Sequence, residues 1–169
     1  AAGARGVEVC RTIHDVEAAL NKAKEPSIAE AFVNGSEVSV ETFIEGGRPV
    51  FHNVTEYLHQ WQKSVLPAQI DAALQDEILA LNDQVIRQFE LSDGMTHAEF
   101  YLTSQGPVFG EIAFRPPGGY YMDLISRSYG FDAWDAYVSL YLGLGYDFSD
   151  FLYPKGFSAV YIVHPGPGT

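Results

Sequence analysis

Two glutamates, Glu99 and Glu111, lie on either side of a turn signal, Ser104-Gln105-Gly106. Read as a three-residue hairpin loop with Gly106 in the left-handed conformation, that turn pairs Thr103 with Pro107, Tyr101 with Phe109 and Glu99 with Glu111. Opposed side chains in an antiparallel pair place their Cβ atoms about 4.5–5.5 Å apart, and like charges there are destabilising. Three arrangements tolerate such a pair: one carboxyl protonated by its neighbour's charge, both facing bulk water, or a cation between them. Oxygen-only ligands favour magnesium. The same face carries His97 and Arg115, and Arg115 leads into the loop Pro116-Pro117-Gly118-Gly119. Acids, a base and permissive backbone together suit a magnesium-bound nucleotide phosphate. An exposed acidic pair on a solvated sheet face remains the alternative.

Several elements must position these residues. Val7 to Arg11 alternates like a short strand, and a helix follows over about His14 to Lys24 with Thr12 as N-cap. Glu25-Pro26 ends that helix, Ser27 to Val33 reads as a strand, and Asn34-Gly35 marks a turn. Ser36 to Glu45 alternates, with Val38, Val40, Thr42 and Ile44 on one face and Glu37, Ser39, Glu41 and Phe43 on the other. Gly46-Gly47 turns it into a partner strand over about Arg48 to Tyr57. Pro67 is expected to open a long helix to Leu91, with an apolar stripe at Ile70, Leu74, Ile78, Leu81, Val85 and Phe89. Strands near Met95 to Thr103 and Pro107 to Arg115 carry the two glutamates, and helices follow near Tyr120 to Tyr129 and Asp132 to Leu142. Hairpins followed by helices give an α+β domain with helices on one face of an antiparallel sheet.

Composition narrows the function. A net charge of −12 argues against non-specific binding to nucleic acid or to acidic membranes. No run approaches 18 uninterrupted apolar residues, and the first six residues lack the apolar stretch of a signal peptide. Cys10, alone and in an apolar run, reads as a packed core thiol, and a reducing cytoplasm fits it. His52 and His59 match no zinc spacing. There is no Walker loop, no Rossmann fingerprint and no nucleophile elbow around Ser36 or Ser158.

In order and spacing the chain resembles the ATP-grasp superfamily, which includes biotin carboxylase and carbamoyl-phosphate synthetase. The matches are Glu99, then Glu111-Ile112-Ala113-Phe114-Arg115 against the family's Glu-Ile-Asn-x-Arg, then Gly118-Gly119. Upstream, Glu30-Ala31-Phe32-Val33 and Gly35-Ser36-Glu37 match its hinge strand, and Gly3-Ala4-Arg5-Gly6-Val7 resembles the end of its glycine loop. The resemblance implies an ATP-grasp fold with a partial N-terminal ATP lobe and Mg-ATP bound between two lobes. It gives Glu99 and Glu111 the magnesium, Glu30 to Val33 the adenine, Glu37 the ribose, Arg5 and Gly6 the phosphates, and Arg115 the transferring phosphoryl group. The residues from Thr55-Glu56-Tyr57 to Gln60 fall where the family borders its substrate.

The implied layout is residues 1–33 as the end of the first lobe, 34–145 as the lobe with the metal site, and 146–169 as a tail. That tail's aromatics (Tyr146, Phe148, Phe151, Tyr153, Phe157, Tyr161) read as core or contact residues. The implied function is an ATP-dependent ligase that activates a small carboxylate as an acyl phosphate for an amine or thiol; homo-oligomerisation is left open.

Three departures stand out. The family's phosphate-binding lysine precedes its glycine loop and has no counterpart here, so this stretch by itself is expected to be inactive. Arg5 stands where many relatives have serine. Ala113 stands where the family has asparagine, and the pairing sets it opposite His97, which becomes a candidate substitute contact to metal or phosphate. Ala113 also keeps two alternatives open: a non-catalytic nucleotide-binding or assembly domain, and a phosphotransferase.

Overall fold

The computed structural model describes residues 7–59 and 62–163. The chain divides into two compact units, residues 1–34 and 35–169. In the first, a helix forms where expected, α1 (Ile13–Lys22). Thr12 Oγ1 accepts from the Asp15 backbone N at 3.2 Å, and Asp15 Oδ2 accepts from the Thr12 N at 2.9 Å. This reciprocal box satisfies backbone donors that no helical carbonyl can reach. The strands expected at 7–11 and 27–33 do not form. Alternation makes a strand only where a neighbour takes up its backbone groups, and the described residues of this unit supply none. Cys10 is half-buried instead of packed in a core, with Val7 and Val9 beside it exposed.

The second unit is built on one antiparallel sheet. Its strands are β1 (Ser36–Glu45), β2 (Arg48–His59), β3 (Lys63–Leu66), β4 (Gly94–Thr103), β5 (Gly106–Ala113) and β6 (Ser158–Tyr161), in the order β5-β4-β1-β2-β3-β6. The β1–β2 hairpin turns at Gly46 and Gly47, both at positive φ (54° and 77°) as a tight hairpin turn demands. The tail after residue 145 returns to the sheet, where β6 pairs with β3.

The expected antiparallel α+β architecture is present, but helices cover both faces of the sheet, not one. Helix α2 (Ala72–Gln88) lies over Val38, Val40, Val54, Ala98 and Phe100, with Ile78 fully buried against them. Helices α3 (Tyr121–Tyr129) and α4 (Ala133–Tyr141) lie over the opposite face. There Phe43, Phe51 and Met95 pack with Met122, Ile125, Phe131, Leu140 and Phe148. Strand alternation explains the division: Val40 and Phe43 have opposite parity on β1 and so feed different cores. Helix α2 starts at Ala72, five residues beyond Pro67, with Asp71 Oδ1 accepting from the Ala73 N at 2.9 Å. The intervening residues stay beside the sheet because Ala68 N donates to Val54 O at 2.7 Å.

The β4–β5 hairpin departs from its expected register near the turn and recovers it at the glutamates. The turn has two residues, Ser104 and Gln105, so Thr103 pairs with Gly106 and Tyr101 with Val108. A bulge between Glu99 and Phe100 then sets one extra residue, Gly110, on β5. Beyond it Glu99 faces Glu111 and His97 faces Ala113, as expected. Little room is left for a side chain at the bulge. A Cβ at Gly110 would lie 3.0 Å from the Glu99 carbonyl oxygen and 3.1 Å from Tyr101 Cε2. Gly110→Val should therefore lower unfolding free energy by about 1–3 kcal/mol, as overpacking does. Urea denaturation measures the loss, and an unchanged midpoint would sink this account of the bulge.

Candidate active site

Two rows of side chains cross the sheet on the face that α3 and α4 share. Thr55, Ser39, Glu99 and Glu111 are successive cross-strand partners in one row. Asn53, Glu41, His97 and Ala113 form the next. Seven of these eight residues bear polar or charged groups on a face that, two residues further along β1, is solid phenylalanine.

Glu41 is the centre of the arrangement. It is fully buried, and its carboxylate accepts from Asn53 Nδ2 at 2.6 Å, Ser39 Oγ at 2.7 Å and Thr55 Oγ1 at 2.7 Å. His97 Nδ1 lies 3.0 Å from its Oε1. An unpaired buried carboxylate would protonate, because burial disfavours charge. Here burial does push the Glu41 carboxyl upward, but the hydrogen bond and charge of His97, with hydrogen bonds from Ser39 and Thr55, leave it below the usual carboxylate range.

His97 is held from both ends. Its Nε2 lies 3.5 Å from Glu99 Oε1, an ion-pair contact longer than the Glu41 bond. Burial works against its charge, yet the two carboxylates overcome burial and raise its pKa to about 9. Glu99 is lowered chiefly by its bond to His97, against the opposing effect of burial. Its Oε1 also accepts from Tyr57 Oη at 3.2 Å, and Glu37 bonds to the same carboxyl. Glu111 is exposed.

Helix α3 supplies the wall over this cluster. Tyr121 Oη lies 2.7 Å from Ser64 Oγ, and its ring meets His97 edge-on at 6.4 Å between centroids. Burial pushes the Tyr121 phenol up to about 12, so it stays a donor. The loop entering α3 bends sharply, with Gly119 and Tyr120 both at positive φ (63° and 68°). Residues 117–123 and Trp134 line a cavity of about 330 Å³ beside it.

A family model described as an ATP-grasp domain matches residues 2–122. The chain belongs to the ATP-grasp family. An L-arginine-specific L-amino acid ligase from Bacillus subtilis is 28% identical over 129 residues, which is 72% of this chain and 31% of that protein. The structure of an L-amino acid ligase from Bacillus licheniformis superposes with a TM-score of 0.66 at 17% identity, over 81% of this chain and 37% of that one. A carboxyaminoimidazole ribonucleotide synthase from Aspergillus clavatus, complexed with ATP, gives 0.70 at 16% identity, over 88% and 40%. This ATP-grasp chain thus spans about a third of the length of the relatives it matches.

Within this ATP-grasp chain, Glu99 and Glu111 are direct cross-strand partners on one face, and Glu37 joins Glu99. Arg115 lies past the end of β5, exposed, with Nη1 donating to the Pro116 carbonyl at 2.8 Å. Glu30 to Val33 belong to the first unit, where Glu30 and Phe32 are exposed. Arg5 and Gly6 lie outside the described residues. His52 faces α2, its Nδ1 3.2 Å from Thr42 Oγ1 and its Nε2 3.4 Å from Asp83. Among the described residues no three His, Cys, Asp or Glu side chains gather as a metal cage, and no helix is long and apolar enough to cross a membrane. Sequence reasoning missed Glu41, and it placed Tyr57 in the stretch bordering the substrate instead of against Glu99. The β1–β2 register would have set Glu41 against Asn53, a donor facing an acid in mid-sheet.

Two outcomes follow for the buried pair. Glu41→Leu strands four donors and should destabilise the protein by about 3–5 kcal/mol in chemical denaturation. A raised folded pKa means the His97 contribution is complete below pH 6.5 and is lost as pH rises through about 9. The melting temperature should therefore fall over that window, and the fall should shrink in His97→Gln. Equal pH profiles for both proteins would contradict it.

Proposed function

We propose that this chain forms part of the nucleotide-binding catalytic region of a ligase that uses ATP to join a carboxylate to an amine. One observation carries the reading: Glu99 and Glu111 meet across β4 and β5 on the same face, with Glu111 open to solvent. The donor set fits magnesium. Both side chains offer hard oxygens, and two carboxylates suit an ion that keeps waters and takes substrate phosphates as its other ligands. Bound there, magnesium would neutralise the charge that develops between the β- and γ-phosphates.

The residues of the chain do the rest by holding and orienting. Tyr57 and His97 fix one oxygen of Glu99. On the family's pattern, Glu30 to Val33 bind the adenine, Glu37 the ribose, and Arg5 and Gly6 the phosphates. Arg115 stabilises the transferring phosphoryl group electrostatically. A carboxylate oxygen of the first substrate attacks the γ-phosphorus and ADP departs. The amine nitrogen then attacks the acyl carbon; phosphate leaves with the C–O electron pair, and the nitrogen gives up a proton. The kinship with an L-amino acid ligase favours an amine over a thiol as the second substrate.

Ala113 favours a second reading, a domain that binds nucleotide without turnover. The full-length protein, given Mg-ATP and paired amino acids, separates the two by ADP and phosphate release. Release should require both acceptors and should fall roughly a hundredfold or more in Glu99→Gln and in Glu111→Gln. Nucleotide binding with no release across the panel would favour the second reading, and phosphate retained on a product would instead indicate a phosphotransferase.

A further inference from the structure

The family pattern assigns nothing to Glu41 or His97, yet the chain commits a fully buried acid and three donors to placing one imidazole. We propose that His97 is a positioning residue that aims the Glu99 carboxylate at the metal–nucleotide, and that Glu41 is the anchor holding His97 in place. The inference rests on the metal reading of Glu99 given above.

The geometry supports it from both sides. The imidazole has two nitrogens at fixed angles, and each faces a different carboxylate: Nδ1 at 3.0 Å from Glu41 and Nε2 at 3.5 Å from Glu99. Glu41 cannot swing away, because Asn53, Ser39 and Thr55 occupy it within 2.7 Å. Asn53 is itself fixed from behind, its Oδ1 accepting from Tyr129 Oη at 3.3 Å. The Tyr121 ring closes the remaining side of His97. His97 and Tyr57 both converge on Oε1 of Glu99, and Glu37 bonds to the same carboxyl, so the rotation of the carboxylate is set from several sides. A chain of contacts therefore runs from α3 through Asn53 and Glu41 to His97 and ends on Glu99. Ligating carboxylates are commonly oriented by such outer partners, whose loss lowers metal affinity roughly 10–100-fold.

Two amide variants divide the ring into its halves. Asparagine places a donor near the position of Nδ1, and glutamine near that of Nε2. His97→Asn thus keeps the bond to Glu41 and loses Glu99, while His97→Gln keeps a donor toward Glu99. Calorimetric titration of ATP into the full-length protein, with excess Mg2+ and again in EDTA, gives the factor by which the metal strengthens binding. His97→Asn should lower that factor about tenfold or more while leaving metal-free ATP affinity within about threefold, and His97→Gln, which keeps a donor toward Glu99 but loses the anchor, should lower it by less than His97→Asn does. Should His97→Asn fail to fold, Glu41→Gln, which loosens the anchor at nearly constant shape, should lower the factor at least about threefold. A wild-type factor in the folded His97→Asn protein, or in Glu41→Gln where that variant stands in, overturns the proposal. Glu99→Gln separates this failure from failure of the metal reading: if it too keeps the wild-type factor, or if wild type shows no metal dependence, both readings fall together.

Discussion

A single buried carboxylate organises the polar face of the sheet. Glu41 sits in the central strand with no exposed surface, and its charge must be answered by donors within the fold. That requirement reaches in every direction. It dictates hydroxyls at Ser39 and Thr55, an amide at Asn53, and a basic ring at His97. It also places tyrosines at the edge of the aromatic core, because Tyr129 has to present a hydroxyl toward Asn53 while its ring packs on Phe51. The apolar cluster around Phe43 and the polar rows are thus parts of one face divided by the demands of one anion. Buried polar networks of this kind stabilise only when every member is satisfied.

Much of the fold was legible because local signals were strong. Gly46-Gly47, the capping residue Thr12, the alternation of β1 and the apolar helices after Gly119 each act over a few residues. The opposition of Glu99 and Glu111 was legible too. What escaped notice depended on partners distant in sequence. Alternation placed Glu41 opposite the valines without telling a solvated face from a second core, since α3 and α4 cover it from about 80 residues away. Pro67 reads as a helix start by its type, but the backbone bond from Ala68 to Val54 keeps that stretch extended, and no local pattern encodes it. The apolar runs at 7–11 and 27–33 carried strand propensity and met no ladder within their own unit.

The departure at Ala113 also gains a physical context. The residue that replaces the family's asparagine is the cross-strand partner of His97, the residue with a carboxylate at each nitrogen. A methyl group opposite an imidazole avoids a second polar claim on the ring, which already serves Glu41 and Glu99. The low identity to the solved structures means that they establish the architecture of this sheet. The chemistry of its polar face comes from the side chains themselves.

The turn and the bulge of the β4–β5 hairpin behave like a pair of compensating frameshifts. The tight turn at Ser104 and Gln105 removes a residue from the pairing count, and Gly110 puts one back before the acids are reached. Strand faces follow parity, so the tight-turn register carried on without the bulge would set Gly110 opposite Glu99 and turn Glu111 toward the α2 side beside Ala98. Length changes in this hairpin are thereby sorted by whether they preserve reading phase. Removing the bulge residue itself leaves Glu111 next in line for Glu99, whereas a residue inserted between Gly110 and Glu111 that the bulge does not absorb turns the acid to the other face without touching either glutamate codon.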